Sequence, residues 1–302
     1  MLRSFATALF LLALAAPDGT AQTLDSLRAR LAARIDEVPG AVVGISYLDL
    51  ASGDSLHLNA DHSFHAASTM KVPVMIEFFR QADRSARSLN EEILLVNQFK
   101  SIVDSSPYSL SESDDSDSLL YRLVGQRVPV LDLLDRMITR SSNLATNVLI
   151  GMVDATLANA TAHALGAANM KVLRGVEDTK AYERGLSNST TARDLAALMS
   201  AIERGRAASP ASTQAMRELL LRQEFNGEIP AGLPPGTRVA HKTGFITAVL
   251  HDAAIVYPAN GTPYVLVVLT SGIPDRQVAR TMMQDVSGMV YAHRLRTTTS
   301  KP

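Results

Sequence analysis
The chain has 302 residues, 29 basic and 30 acidic side chains, 46% apolar residues and no cysteine or tryptophan. Without cysteine it has no disulfide framework, lipid-modified thiol or cysteine nucleophile. The near-zero net charge leaves no electrostatic footprint for nucleic acid.

Residues 1–21 read as a secretory signal peptide. Arg3 gives the positive start, residues 5–16 form the apolar run, and Gly19 and Ala21 suit cleavage just after Ala21. The run is too short for a transmembrane anchor. Export to a bacterial periplasm or medium is therefore expected, with no membrane anchor once the signal is removed. The remaining residues, 22–302, are enough for one large domain or two lobes, and they contain no further stretch apolar enough to span a bilayer.

Leu24, Leu27, Leu31 and Ile35 recur at helical spacing, and Pro39-Gly40 ends that helix. Residues 41–50 and 56–59 predict two strands around a turn at Gly53-Asp54. A helix follows near Thr69, with Val74, Met75, Phe78 and Phe79 inward and Pro73 tolerated in its first turn. Residues 111–118 are acidic and serine-rich and read as a solvated loop; calcium binding is disfavoured because the glycine of a calcium loop is missing. Helical periodicity returns over 130–138 and 144–153, and Thr190-Thr191 predicts a cap for a helix over 192–202. Residues 238–243, 248–257 and 264–270 predict strands. Pro274-Asp275 opens a last helix with Val278, Met282, Val286 and Met289 along one face. Strands at both ends with helices between imply an α/β (α+β sandwich) architecture. One antiparallel sheet of about five strands is flanked by the N- and C-terminal helices, with an all-helical lobe inserted. The expected division is an α/β lobe from 22–68 and 236–302 and a helical lobe from 69–235.

Three short motifs carry chemistry. The chain has six lysines, at 71, 100, 171, 180, 242 and 301. Lys71 closes Ser68-Thr69-Met70-Lys71, and Lys242 opens Lys242-Thr243-Gly244. Between them lies Ser141-Ser142-Asn143. A lone S-x-x-K is expected by chance in about one such chain in two, and K-T-G in about one in fifty; the ordered combination is far rarer. Three residues apart on a helix, Ser68 and Lys71 share a face. A serine hydroxyl is a poor nucleophile without a nearby base. Lys71 can serve only if its pKa falls well below about 10.4, through burial or a second positive charge such as Lys242. The N–H of Ser68 is then available to a developing oxyanion, with the N–H of Phe245 as second donor. Ser141 is placed to relay a proton to the leaving group, and Asn143 to bond an acyl-amide side chain. Read alone, Ser141 and Asn143 would be helix caps. Lys242 and Thr243 can hold a substrate carboxylate, and Gly244 admits close approach of substrate to the backbone.

The order S-x-x-K, S-x-N, K-T-G resembles that of the penicillin-recognising serine hydrolases, class A β-lactamases in particular. The resemblance covers nearly the whole chain after residue 21. It implies a serine β-lactamase acting through an acyl-enzyme on Ser68, with no cofactor, as a monomer, on a small β-lactam or acyl-D-Ala-like substrate. It also implies that Glu177, 36 residues after Ser141, activates the deacylating water. Arg174 stands near the family's loop arginine, displaced by one. Three features depart from the family. The loop reads Glu177-Asp178-Thr179-Lys180-Ala181 and lacks the family's water-holding asparagine, for which Asn188 is the candidate replacement. Ser142 stands where the family usually has aspartate. The stretch from Ser68 to Ser141 is longer, with the acidic segment as the insertion. The missing asparagine favours, as an alternative, a slow-deacylating penicillin-binding D,D-peptidase or esterase; a second alternative, a non-catalytic sensor that keeps the fold, is opposed by the intact Ser68, Lys71 and Lys242. His62 and His65 lack a third metal ligand nearby, so no metal is expected. No G-x-S-x-G elbow is present, and His241 alternates to the strand face opposite Lys242.

Overall fold
Two apolar faces of one sheet organise the molecule. In the computed structural model, which describes residues 23–259 and 261–299, the chain begins with helix α1 (Leu24–Asp36) and the hairpin β1 (Val42–Asp49) and β2 (Ser55–Leu58). It returns to the sheet only near its end, with β3 (Arg238–Ile246), β4 (Val249–Tyr257), β5 (Tyr264–Ser271) and helix α9 (Arg276–Thr299). The strand order is β2-β1-β5-β4-β3, and every neighbouring pair is antiparallel. The signal-peptide expectation for residues 1–21 lies outside the described residues.

Alternation along each strand sends successive side chains to opposite faces. On one face Ile45, Tyr47, Ala254, Val256, Leu266 and Val268 pack under α1 and α9 through Leu27, Leu31, Met282 and Val286. On the other, Ala253, Ile255, Val265, Val267 and Leu269 meet the helical part of the chain. The continuous apolar run of β5 reflects burial on both faces. Val278 faces outward and is 40% exposed, contrary to the expected stripe. The rest of the expected stripe holds, with Met282 and Val286 fully buried and Met289 partly so, and Ala279, Met283 and Val290 widen it.

Between β2 and β3 come α2 (Lys71–Asp83), α3 (Val130–Thr139), α4 (Asn143–Val153), α5 (Ala155–Ala164), the short α6 (Thr179–Glu183), α7 (Ala192–Glu203) and α8 (Pro210–Leu221). Helix α2 sits among them with Val72, Val74, Met75, Ile76, Phe78 and Phe79 all fully buried. A 3-10 turn, Ala67–Met70, leads directly into α2. The predicted cap at Thr191 is present: its side chain accepts the Asp194 N–H at 3.0 Å.

The acidic segment is the expected solvated loop only in part: residues 111–114, 116 and 118 are exposed, but two of its carboxylates are not. Asp115 and Asp117 are 8% and 3% exposed. Asp117 Oδ2 pairs with Arg136 at 2.7 Å, and Asp115 accepts bonds from the start of α4. Composition indicated solvation, but helix amides and guanidinium groups brought from later in the chain give these carboxylates partners that make burial tolerable.

Gly232 lies where a turn meets α9. A Cβ there would collide with the Gln284 carbonyl, a backbone atom that cannot swing away. Gly232→Ala is expected to destabilise the fold by about 1–3 kcal/mol and to lower the thermal midpoint by roughly 3–10 °C. A calorimetric melt checks this; an unchanged midpoint contradicts the packing described.

Candidate functional site
The site forms where the helical part meets the outer strand of the sheet. Across the sheet, Ser46, Val267, Ala253 and Lys242 lie in one cross-strand row. Lys242 therefore points to the helical face. His241 points to the other, where its Nδ1 lies 2.9 Å from Asp252 Oδ1 and its Nε2 3.2 Å from Asn226 Oδ1, fully buried. β3 ends the sheet, and its far part runs beside the Ser68 turn. A Cβ on Gly244 would lie 3.2 Å from each of Ser68 N, Ala67 Cβ and Thr69 Cγ2. A side chain there would be tighter than ordinary packing, and glycine lets the strand come this close without displacing the Ser68 turn.

Ser141 links the three motifs. Lys71 Nζ donates to the Ser141 carbonyl, to Ser141 Oγ at 3.1 Å and to Asn143 Oδ1 at 3.0 Å. Lys242 Nζ donates to the same Ser141 Oγ at 3.0 Å and to the Thr243 carbonyl at 2.8 Å. Both amines are fully buried. Burial lowers the Lys71 ammonium to about 7, against the opposing pull of the Asp115 and Glu177 carboxylates. Lys242 is pushed well down, first by burial and then by the charge on Lys71. The sequence reading allowed Lys242 to be what lowers Lys71; in the structure burial is the leading cause.

Asn143 extends the network. Its Oδ1 faces Lys71, and its Nδ2 donates to Glu177 Oε1 at 2.8 Å. Glu177 projects into an open cavity, yet the surrounding walls remove enough water to raise its carboxyl above the usual range; Asp115 and Asp114 add to the rise, opposed by Asn143 and Lys71. That cavity, of about 590 Å³, is lined by Ser68, Asn143, Glu177, Asn188, Tyr182 and Phe245, among others. A smaller one of about 200 Å³ is lined by Ser68, Ser141, Asn143, Thr243, Phe245 and Arg276. Ser68 is thus common to both spaces, while Lys71 and Lys242 stand behind the walls.

Three non-glycine residues at the site hold left-handed backbone: Ala67 (φ 46°), Ser141 (φ 60°) and Glu177 (φ 61°). Such conformations are uncommon for residues bearing a Cβ and persist where the surroundings over-determine them. Around Glu177 the clamps are visible. Asn147 Oδ1 accepts the Val176 N–H at 2.6 Å and its Nδ2 donates to the Val176 carbonyl at 3.0 Å. Asp178 accepts from Ser101 Oγ, Ile102 N and Ala181 N at 2.8, 2.9 and 3.1 Å. Asn188 holds the start of the loop, accepting from Leu173 N at 2.8 Å and donating to the Arg174 carbonyl at 2.9 Å. Its amide is therefore spent on backbone, although the residue borders the cavity. Arg174 donates to the Leu186 and Gly175 carbonyls. Ala181, four residues after Glu177, is fully buried.

Sequence reasoning missed Arg276, Asn147 and Asp115. Arg276 stacks its guanidinium 3.9 Å from the centre of the Phe245 ring and borders the smaller cavity. No motif announces it, since it comes from the far side of the fold. Among the described residues no cluster of three metal-ligating side chains occurs.

A family model described as "Beta-lactamase enzyme family" matches residues 26–294. The chain is 27% identical over 228 residues to β-lactamase L2 of Stenotrophomonas maltophilia, covering 74% of this chain and 71% of that protein. Among solved structures it resembles PBP-A, with 29% identity, a TM-score of 0.77 and coverage of 89% of this chain and 96% of that one; a PBP-A mutant has been captured as an acyl-enzyme complex with penicillin G. It also resembles a β-lactamase from Sphaerobacter thermophilus, with 26% identity, a TM-score of 0.76 and coverage of 93% and 99%.

Gly175 packs against the Asn147 amide so closely that a Cβ would overlap Asn147 Oδ1. Gly175→Ala is expected to break the Asn147–Val176 pair and to speed amide exchange of residues 173–178 by about tenfold, the equivalent of one lost hydrogen bond. Exchange monitored by mass spectrometry tests the clamp; protection equal to the parent's refutes it.

Proposed function
The chain belongs to the beta-lactamase enzyme family, and we propose that it opens the β-lactam amide through an ester on Ser68. The observation that carries this reading is the unbroken chain of hydrogen bonds from Lys242 through Ser141, Lys71 and Asn143 to Glu177, set beside a cavity that Ser68 lines.

In this mechanism Ser68 Oγ attacks the lactam carbonyl carbon. Lys71, neutral in about half the molecules near pH 7, takes the hydroxyl proton, with Glu177 as a second acceptor. The carbonyl oxygen becomes an oxyanion held by the N–H groups of Ser68 and Phe245, each such donor lowering the barrier by about 3–4 kcal/mol. The C–N bond then breaks, and the departing nitrogen receives its proton from Ser141 Oγ, which is re-supplied by Lys71. Thr243 and Arg276 receive the substrate carboxylate, with the buried Lys242 setting the field behind them and Gly244 giving clearance. Asn143 positions the acyl amide. Glu177 directs water onto the ester, which restores Ser68. No step calls for a cofactor. The composition of residues 1–21 supports action outside the cytoplasm.

A second reading keeps the acylation and slows the release, as in a penicillin-binding peptidase. Ala181, buried and without a polar atom at the position where class A loops carry an asparagine, favours it, as does the likeness to PBP-A.

Mass spectrometry and absorbance on mixing with a chromogenic cephalosporin separate the two readings. Sustained turnover with no lasting adduct is expected, whereas a persistent adduct on Ser68 without turnover selects the peptidase reading. Absence of both sinks the acyl-serine proposal. Glu177→Gln is expected to leave acylation measurable, slow deacylation by about 10²- to 10⁴-fold and so accumulate the adduct.

The acylation rate should also depend on pH in a defined direction. A lysine whose pKa has fallen to about 7 is protonated below that value and a free base above it. The single-turnover rate is expected to rise as pH increases from 5 to 8, with its midpoint near 7. A rate flat across that range would remove Lys71 as the base.

A further inference from the structure
The motif Ser141-Ser142-Asn143 has no carboxylate of its own, yet a buried carboxylate lies against it. Asp115, 8% exposed, comes from the acidic segment 26 positions before Ser141. Its Oδ2 accepts the N–H groups of Asn143 at 2.9 Å and Leu144 at 2.8 Å, the Tyr121 hydroxyl at 3.1 Å and the Ser142 hydroxyl at 3.4 Å. Its Oδ1 accepts the Asp117 N–H at 3.0 Å. Asp117 is in turn fixed by Arg136. We propose that Asp115 is a positioning residue for the reaction, supplying from the inserted segment the carboxylate that fixes Asn143 between Lys71 and Glu177.

The first amides of a helix have no intrahelical acceptor, and a negative charge at that end is favoured by the helix dipole. At α4 the task is divided. Ser142 caps the Ala145 N–H at 3.2 Å, and Asp115 takes the two amides before it. Asn143 is the residue whose backbone Asp115 grips, and its side chain contacts Lys71 with one atom and Glu177 with the other. A small rotation at the start of α4 would therefore loosen both contacts at once. Among the described residues no guanidinium or ammonium group lies within 4.0 Å of Asp115, so its charge is not neutralised by a contacting partner and is felt at the site. It raises the pKa of Lys71 and adds to the rise at Glu177. The charged and titratable groups around this point are Glu112, Asp114, Asp117 and Tyr121 beside Asp115, Arg136 and Arg140 paired with Asp117, Lys242 behind Ser141, and Tyr108 beside the Glu177 loop.

The inference rests on the acyl-serine reading, and the test separates the two. The probe is a fluorescent penicillin, followed by its single-turnover rate of attachment to Ser68, with a thermal melt for each variant. Asp115→Ala is expected to slow attachment at least tenfold at pH 7. Adding Ser142→Asp, which places a carboxylate within the motif while keeping a capping oxygen, is expected to recover threefold or more. Asp115→Asn keeps one acceptor oxygen but removes the charge. Both Lys71 and Glu177 then titrate lower, so the acid limb of the rate is expected to move to lower pH by about half a unit or more. Attachment within twofold of the parent in Asp115→Ala overturns the inference. So does a slowed rate with neither recovery in the double variant nor a moved limb in Asp115→Asn, which would leave Asp115 as a fold residue. Should Asp115→Ala fail to fold, the limb of Asp115→Asn decides alone. A parent protein that takes no label overturns the acyl-serine reading and this inference with it, whereas a labelled parent with unaffected variants overturns this inference only.

Discussion

Two primary amines buried within hydrogen-bond reach of one serine hydroxyl impose the condition that the rest of this structure meets. An isolated ammonium taken out of water loses several kcal/mol of solvation even after relaxation, and two side by side also repel. Lys71 and Lys242 can share Ser141 Oγ only because each also finds carbonyl or amide oxygens, and because both are shifted toward the neutral amine. That shift turns an otherwise protonated side chain into a base at neutral pH. The dry environment producing it requires the helical part of the chain and the β3 edge to close on each other from opposite sides.

The approach of β3 to the nucleophile turn follows from the same condition. Lys242 reaches Ser141 from the strand that runs beside the Ser68 turn, close enough that a side chain at residue 244 would be tightly packed against it. Two of the left-handed conformations, at Ala67 and Ser141, lie beside this contact. Ala67 directly precedes Ser68, and Ser141 is held by Lys71 and Lys242 from other elements. Strain at a few residues is tolerated here because the apolar clusters on both faces of the sheet fix the surrounding frame.

The loop around Glu177 is built on another principle. It is almost free of regular structure, and its position comes from three polar side chains that bond to its backbone or cap its short helix: Asn188, Asn147 and Asp178. The stretch between α2 and α3 serves it from two directions. Ser101 and Ile102 hold Asp178, and Asp115 holds the start of α4, from which Asn143 reaches Glu177. The stretch between the first two motifs thus braces the Glu177 loop and the start of α4 together.

The sequence by itself determined the elements and the motif chemistry. Period-two runs gave the strands, the 3.6-residue stripes gave the helices, and the rarity of K-T-G after S-x-x-K and S-x-N identified a serine acyl-transfer site. These are local patterns, and local patterns survive without knowledge of the fold. Burial of Asp115, the stacking of Arg276 on Phe245 and the grip of Asn147 on Val176 were not readable, because each depends on partners 27 or more positions away and none of Asp115, Arg276 and Asn147 belongs to a motif. Composition marked residues 111–118 as solvated because an acidic side chain is costly to bury without partners. Only the tertiary structure brought the amides of α4 and the Arg136 guanidinium to those carboxylates, and with them decided that the segment belongs to the site.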